Sequence, residues 1–550
     1  MSASSKKKLR KEQNAAQLTE KQRKEKSEAK KLKAYTITFV AIVLVVAIVA
    51  ASVMVVTGVN RSGIIDKNTV AATVNGHEIS SVELSYYYMD LISNSYNEWY
   101  STYGDDVSTY LLLMGLDLSK PLDQQTYDEE GTTWAQFYID TALDYVKSDY
   151  ALYDLAMAEG YTLSEDDQTT LDTNLSNLSF YALMGGYEDL DAYLVATYGF
   201  GASLESYKEY CERSALATSY YNAYADSLTY DDAAIRAYEE DKYDQYSCFT
   251  YASYYMPYTD YLDSSSASED GTYSDEVRDA ARAAVKADAE SLTSAATIAD
   301  LDKAIAALAV NADSEDEAST QYTRKFYSSV DSAIRDWVAD SSRKSGDITA
   351  IPYESTTTDT DGNEKTVING YYVVYFQERD DNLEPMANVR HLLVEFEGGT
   401  KDDDGNTTYS DAEKAVAKEE AEGYLKTWKD GAADQDSFIE LVKEHSDDSS
   451  ASTGGLFEDI TPDSNYVENF LNWSIDPDRK AGDTDVIESE YGYHVMYYVG
   501  DDELTYRDSL ITESLRSEDV EAWYTEICDA AELTAGDTSR IETGIVISAS

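Results

Sequence analysis

Cysteine, histidine and proline are scarce in this chain of 550 residues, and each shortage excludes something. There are 3 Cys, 4 His and 6 Pro. Three cysteines form at most one disulfide bond, so a disulfide scaffold and a four-thiolate zinc site are both excluded. Four histidines limit histidine chemistry to a few positions. Pro121 is the only proline before Pro257, and this favours long helices between them.

Basic charge is also in short supply over most of the chain. The 43 Lys and Arg face 105 Asp and Glu, which gives a formal net charge of −62. A surface this acidic repels a phosphate backbone, and nucleic-acid binding is therefore excluded. Hydrophobic residues make up 43% of the chain and include 48 Tyr, enough to build real cores. The length predicts several domains.

The charge is divided by one long apolar run. Residues 1–33 carry 12 basic and 4 acidic residues, a net charge of +8, whereas the remainder carries −70. Between them lies FVAIVLVVAIVAASVMVV, and about 20 apolar residues span a hydrocarbon core of about 30 Å. We predict a transmembrane helix over 34–59, with residues 1–33 cytoplasmic and an acidic extracytoplasmic domain after it. A cleaved signal peptide is the alternative, but its apolar region is only about 7–15 residues long.

The first part of the predicted ectodomain, 65–244, has a helical pattern. A strand at 71–74, an Asn-Gly turn and a helix from about Ser81 come first. Up to about 229, Tyr, Leu and Ala then recur at spacings of three and four residues. These aromatic stripes have two interpretations: the core between helices, or a Tyr-lined groove that binds unfolded polypeptide.

An internal repeat follows the helical region. IRDWVADSSRKSGD at 334–347 matches FLNWSIDPDRKAGD at 470–483, and GYYVVYF at 370–376 matches GYHVMYY at 492–498. The offset falls from 136 to 122, so the earlier copy has 14 extra residues, which are polar and predict a hairpin insertion. We define 245–380 as the first repeat and 385–500 as the second repeat.

Each repeat has the same predicted order of strands and helices. A strand (249–256 or 388–396) is followed by a helix (276–292 or 411–428), a short segment with Trp and a closing strand. This order is typical of an α+β domain. Residues 501–550 form the last predicted domain, with an amphipathic helix at 506–533 and a polar tail.

Two of the four histidines lie on the strands of the second repeat. His391 is on the opening strand and His494 is on the closing strand. A lone histidine on a strand is usually a structural hydrogen-bonding residue. In the first repeat, however, Tyr372 replaces His494 and Ser253 lies near the position of His391. The fold therefore does not require the pair, and both histidines are candidate functional residues.

The second repeat resembles the parvulin family of peptidyl-prolyl cis–trans isomerases. VRHLLV, FIELVKEHSDDSSASTGG, RKAGDT and EYGYHVMYY carry this resemblance in that order. VNGHEIS and the helices after it resemble the chaperone domain of membrane-bound PrsA- and SurA-type foldases. In those proteins the C-terminal helix packs back on the chaperone part, and SurA-type proteins pair an inactive parvulin copy with an active one. The resemblance implies an α+β fold with a degenerate first repeat.

The parvulin resemblance also assigns site residues. It implies catalytic roles for His391, His494 and Asp448, the last at a position where parvulins have Asp or Cys. It implies a substrate-binding role for four further residues: Leu456, Tyr466, Phe470 and Ser489. The sequence departs from the family in having Tyr466 where Met is common and in lacking GDLG after Gly455.

These observations predict an extracytoplasmic foldase that isomerises X–Pro bonds in exported proteins. A non-catalytic holdase chaperone is the main alternative, and a surface interaction protein is another. No cofactor or metal is expected, although two His and an Asp are of the type that binds metals. A cysteine nucleophile is disfavoured still more strongly, because the second repeat contains no Cys. The stretches 357–365 and 401–413 are similar to calcium loops but lack acidic ligands at the required positions, which favours turns.

Overall fold

The computed structural model describes residues 63–240, 242–269, 271–312, 317–358, 364–401 and 407–547. The predicted cytoplasmic segment 1–33 and transmembrane helix 34–59 lie outside these ranges. No helix within them combines the length and the apolar composition needed to cross a membrane. The described residues form two compact units, one from 230–515 and one from 63–229 together with 516–547.

The described elements are named here in chain order. The helices are α1 (Ile64–Asn68), α2 (Ser81–Tyr103), α3 (Val107–Leu113), α4 (Trp134–Glu159), α5 (Glu165–Met184), α6 (Leu190–Tyr198), α7 (Leu204–Ser227), α8 (Asp232–Glu239), α9 (Asp275–Leu292), α10 (Ile298–Ala306), α11 (Arg335–Ala339), α12 (Asp411–Asp430), α13 (Gln435–His445), α14 (Glu468–Ser474) and α15 (Tyr506–Ala530). The strands are β1 (Val70–Val74), β2 (His77–Ser80), β3 (Cys248–Pro257), β4 (Thr320–Phe326), β5 (Ile348–Thr358), β6 (Glu364–Asp380), β7 (Pro385–Glu395), β8 (Thr400–Lys401), β9 (Thr407–Thr408), β10 (Leu456–Ile460), β11 (Thr484–Glu488), β12 (Gly492–Thr505) and β13 (Leu533–Ala535).

The first unit in the chain is mainly helical and opens with the predicted hairpin. Asn75 and Gly76 both have positive φ, as a tight turn between β1 and β2 requires. Ser80 Oγ then accepts a hydrogen bond from Glu83 N at 3.1 Å and caps α2. The predicted strand, turn and helix start are thus confirmed. β13 completes a three-stranded sheet in the order β13-β1-β2.

Most tyrosines of the helical stripes lie in the core of this unit. Tyr86, Tyr138 and Tyr193 are almost completely buried among apolar residues of α2, α4 and α6. In the later half of α15, the Trp523 ring stacks on the Tyr224 ring at 3.8 Å. The core interpretation of the stripes is therefore confirmed for these residues, and a C-terminal helix packs on the helical region as expected.

The unit from 230–515 contains both repeats, and each repeat forms a four-stranded antiparallel sheet. The strand orders are β4-β3-β6-β5 and β10-β7-β12-β11, which are equivalent. Ser253 pairs with Val374, and His391 pairs with Met496. Because Val374 and Met496 differ by the repeat offset of 122, Ser253 occupies the position of His391.

The extra residues of the first repeat lengthen one hairpin. β5 and β6 remain paired out to Thr358 and Glu364, whereas β11 and β12 stop at Glu488 and Tyr493. This confirms the predicted hairpin insertion. The insertion lies beyond the part of the sheet that the two repeats share. It therefore leaves the strand pairing of that shared part the same in both repeats.

Candidate functional site

The two histidines of the second repeat meet on one face of its sheet. β7 and β12 are neighbours, and His494 pairs with Leu393, two residues along β7 from His391. Side chains two residues apart share a face. The histidines are 2% and 5% exposed, and their Nδ1 atoms lie 2.9 Å apart. The predicted hydrogen bond between the two rings is confirmed.

Ser489 extends this pair into a chain of hydrogen bonds. Its Oγ lies 2.7 Å from His494 Nε2 and accepts a hydrogen bond from Tyr491 N at 3.1 Å. Burial, followed by the nearby His391 ring, lowers the pKa of His494 to about 3, so this ring is neutral at pH 7. A neutral imidazole has one N–H, which leaves two possible directions for the chain.

The two directions join the same atoms. In one, Ser489 Oγ donates to His494 Nε2, and His494 Nδ1–H donates to His391 Nδ1. In the other, His494 Nε2–H donates to Ser489 Oγ, and His391 Nδ1–H donates to His494 Nδ1. In both, the ring of His391 lies between His494 and the Asp448 carboxylate.

Asp448 supplies a charge at the edge of this site. Its Oδ1 lies 3.7 Å from His391 Nε2, too far for a hydrogen bond, and accepts one from Ser450 N at 2.8 Å. Burial opposes ionisation, but the His391 ring and Ser450 outweigh it and hold the pKa of Asp448 well below its usual range. Within the described residues, His391 Nε2 has no hydrogen-bond partner. The Nε2 atom of His391 and an ionised carboxylate thus lie side by side.

Aromatic rings form a pocket against the histidines. Phe470 on α14 is 3% exposed, and its ring centre lies 5.3 Å from that of His391 and 5.7 Å from that of His494. Tyr466 is 37% exposed, with its ring centre 5.3 Å from that of Phe470. These two predicted pocket residues therefore meet beside the histidine pair, Tyr466 on the outside.

Phe457 is the pocket residue that the sequence reasoning missed, and Leu456 does not take that place. The Phe457 ring centre lies 5.0 Å from that of His391 and 5.5 Å from those of Tyr466 and Phe470. Leu456 pairs with Arg390, which is adjacent to His391 in β7 and so lies on the opposite face. Side chains alternate between the two faces of a strand, so the register of β10 decides whether residue 456 or residue 457 reaches the histidines. The observed register selects Phe457.

Gly455 allows β10 to approach β7 at this site. It has φ of 65°, and its carbonyl accepts a hydrogen bond from His391 N at 3.0 Å. A Cβ atom at this position would overlap the backbone oxygen of His391. Only glycine therefore permits both the left-handed conformation and the close contact.

The equivalent face of the first repeat is occupied by tyrosines. Tyr372 stands at the position of His494, and Tyr353 stands at that of Ser489. The rings of Tyr255 and Tyr372 lie 4.7 Å apart, and Tyr372 OH donates to Asp331 Oδ2 at 3.1 Å. The hydrogen-bonded histidine pair thus has no counterpart on this face.

Solved structures with partial similarity to the chain include three of note. PrsA from Bacillus anthracis is 21% identical over 27% of this chain and 59% of its own, with a TM-score of 0.16. PrsA from Bacillus subtilis is 14% identical over 76% and 96%, with a TM-score of 0.24. A structure of SurA-like chaperones from Campylobacter jejuni is 20% identical over 26% and 51%, with a TM-score of 0.15. The chain thus spans 59% of the length of the first of these relatives.

A comparison with known protein families finds a match within the second repeat. No curated protein matches the chain. The family model described as rotamase, a PPIC-type PPIase domain, matches residues 391–500. That range begins at one histidine of the pair and includes the other, the pocket rings and Asp448. The second repeat is a PPIC-type peptidyl-prolyl cis–trans isomerase domain of the parvulin type.

Proposed function

We propose that this protein is a membrane-anchored extracytoplasmic foldase whose second repeat isomerises X–Pro bonds in exported proteins. The anchor and the location rest on the apolar run 34–59 and the basic segment 1–33. The observation that carries the enzymatic part is an apolar ring pocket packed against a buried, hydrogen-bonded histidine pair.

The geometry suits the chemistry of amide rotation. The barrier to rotation about an X–Pro bond is about 20 kcal/mol, and the unaided reaction takes about 10–100 s. At the transition state the amide is twisted, and its carbonyl oxygen carries less negative charge than in the planar ground state. Groups that disfavour that charge, or that fit the twisted form, therefore lower the barrier.

Each residue then has a role in this proposal. Phe457, Phe470 and Tyr466 hold the proline ring, which fixes one side of the rotating bond. The Asp448 carboxylate disfavours a planar amide with a negative carbonyl oxygen and so favours the twisted form. The His391–His494 pair supports the pocket, and His391 helps to keep Asp448 ionised. No bond to the protein forms or breaks.

The test is a cis–trans assay on a proline peptide with the full chain. The wild type should accelerate isomerisation, and Phe457→Ala should lower kcat/KM by about 10- to 100-fold, the usual effect of losing a buried aromatic contact with substrate. Leu456→Ala is the matched control on the same strand and should change kcat/KM by less than about threefold. An inactive wild type would refute the enzymatic proposal. Equal effects of the two variants would refute the assignment of the pocket.

A second function, holding unfolded polypeptide, is supported by the helical unit. Leu113 and Met114 at the end of α3 are 81% and 62% exposed, and Leu183 and Met184 at the end of α5 are 74% and 60% exposed. Exposed apolar clusters mark interaction sites, and methionine adapts to varied partners. The unit also has a cavity of about 440 Å³, with five tyrosines in its lining: Tyr87, Tyr145, Tyr210, Tyr221 and Tyr524.

A further inference from the structure

Both repeats contain the same β-bulge at the edge of their sheets. In the first repeat, Tyr251 pairs with Tyr322 and Phe249 pairs with Lys325, so two residues of β4 oppose Thr250. In the second repeat, Val389 pairs with Phe457 and Ala387 pairs with Ile460, so two residues of β10 oppose Asn388. When the two repeats are aligned, Phe249 and Tyr251 occupy the positions of Ala387 and Val389.

The residue at the tip of each bulge is Arg324 or Asp459. Both have a left-handed backbone, with φ of 47° and 54°. Thr250 Oγ1 accepts a hydrogen bond from Arg324 N at 3.2 Å, and Asn388 Oδ1 accepts one from Asp459 N at 3.0 Å. The bulge is thus a property of the repeat, while the side chain that it carries differs.

In the first repeat this bulge directs an arginine out of its own domain. Bulges change the direction in which a side chain points. Arg324 Nε lies 2.9 Å from Asp463 Oδ1, and its Nη2 lies 3.0 Å from Asp463 Oδ2, a bidentate ion pair with the second repeat. Arg324 also pairs with Asp380 and donates to Asn382 Oδ1 at 2.7 Å.

This ion pair is well shielded from solvent. The side chains of Arg324 and Asp463 are only 18% and 26% exposed. Burial opposes the charge on Arg324, but hydrogen bonds and attraction from Asp463, with attraction from Asp380, outweigh it and raise its pKa. A planar guanidinium that meets a carboxylate through two bonds fixes the orientation of the carboxylate as well as its position.

Asp463 lies in the short loop that carries the outer ring of the proline pocket. Thr461 O accepts a hydrogen bond from Ser464 N, and Ser464 O accepts one from Tyr466 N, both at 3.0 Å. Thr461 N also donates to Ser464 Oγ at 3.0 Å. The loop is therefore compact, and the position of its carboxylate is coupled to that of the Tyr466 ring.

We propose that Arg324 of the first repeat is a positioning residue for the proline pocket of the second repeat. By holding Asp463 it holds Tyr466 over Phe457 and Phe470, so the affinity for a proline substrate depends on a repeat without its own histidine pair. This inference rests on the proposed isomerase function. It gives the first repeat a role in the specificity of that function.

The test compares KM and kcat of full-length variants in the proline-peptide assay. Arg324→Ala and Asp463→Asn should each raise KM by about threefold to tenfold, as expected for a lost charge-assisted contact, with kcat within about twofold. Arg324→Lys keeps the charge but not the fork, and should recover part of the affinity. The double variant should be no worse than either single one.

Arg343→Ala is the matched control within the first repeat. Arg343 is 23% exposed, and its ion pairs with Asp340 and Asp347 and its contact with the Trp337 ring all lie within the first repeat. This variant should leave KM unchanged. Additive effects of the Arg324 and Asp463 substitutions, or an unchanged KM in folded Arg324→Ala, would overturn the proposal.

Amide hydrogen exchange separates failure of this inference from failure of the proposed function. Arg324→Ala should increase exchange over 461–466, whether or not the protein is active, because the loop loses its anchor. An inactive wild type with this increase would refute the isomerase function but not the positioning. An active wild type whose Arg324→Ala variant shows unchanged exchange and unchanged KM would refute the positioning alone.

Discussion

At the scale of single residues, the site depends on keeping His494 neutral. Burial and the His391 ring lower the pKa of His494 to about 3, whereas a histidine in an unfolded chain titrates near 6.5. Below pH 6.5 the unfolded chain therefore takes up a proton that the folded chain does not. The stabilising contribution of neutral His494 is complete above pH 6.5 and is lost progressively as the pH falls toward 3.

We expect the free energy of unfolding to fall by up to about 1.4 kcal/mol per pH unit below pH 6.5 because of this group. Replacing His494 with Gln should remove that part of the pH dependence. The measurement is urea unfolding followed by tryptophan fluorescence between pH 7 and pH 5. His445→Gln, on a side chain that is 33% exposed, is the control and should keep the wild-type slope. An identical slope in His494→Gln would contradict a neutral buried ring.

At the scale of elements, the contact of β10 with β7 decides which side chains reach the histidines. Gly454 and Gly455 both have positive φ just before β10, and this bend sets the register in which Phe457 faces His391. A side chain at 455 would push against the backbone of β7. The pocket is thus positioned by a backbone feature as well as by its rings.

Gly455→Ala should therefore destabilise the protein by about 2–4 kcal/mol, since it combines left-handed strain with a steric overlap. Gly482 has φ of 92° but no atom within 4 Å of the place a Cβ would take, so Gly482→Ala tests the strain alone. It should cost about 1 kcal/mol. The check is equilibrium unfolding of both variants. A cost for Gly455→Ala no larger than that for Gly482→Ala would show that β10 can move away freely.

At the scale of the whole molecule, the two proposed activities lie in separate parts of the chain. The proline pocket belongs to the second repeat, and the exposed apolar ends of α3 and α5 belong to the helical unit. Holding a polypeptide and rotating its X–Pro bonds can then be altered independently. The negative charge of −70 after residue 33 keeps such an apolar surface soluble.

Replacing Leu113, Met114, Leu183 and Met184 with Ser should weaken suppression of aggregation of an unfolded protein by severalfold and leave peptide isomerisation unchanged. Phe457→Ala should have the opposite pattern. The matched control is Leu383→Ser, at a leucine that is 54% exposed outside the helical unit, and it should affect neither activity. Full suppression by the quadruple variant, measured by light scattering, would rule out these surfaces as client sites.

The sequence by itself determined the repeat and most of its elements, and it singled out the two histidines as candidates. Its apolar periodicity and turn residues act locally, and the comparison of His494 with Tyr372 needs only the alignment of one repeat with the other. The parvulin resemblance pointed to Tyr466 and Phe470, whose rings meet in the structure.

Tertiary structure alone decided the features that depend on register and on distant contacts. Pairing with β7 decides that Phe457 and not Leu456 faces the histidines, because a shift of one residue moves every side chain of a strand to the other face of the sheet. The chain of contacts from Ser489 through His494 and His391 to Asp448 depends on distances between parts of the chain that are far apart in sequence. Arg324 and Asp463 are 139 residues apart, and no local pattern links them. The contact between them depends on a β-bulge that is present in both repeats but carries an arginine only in the first.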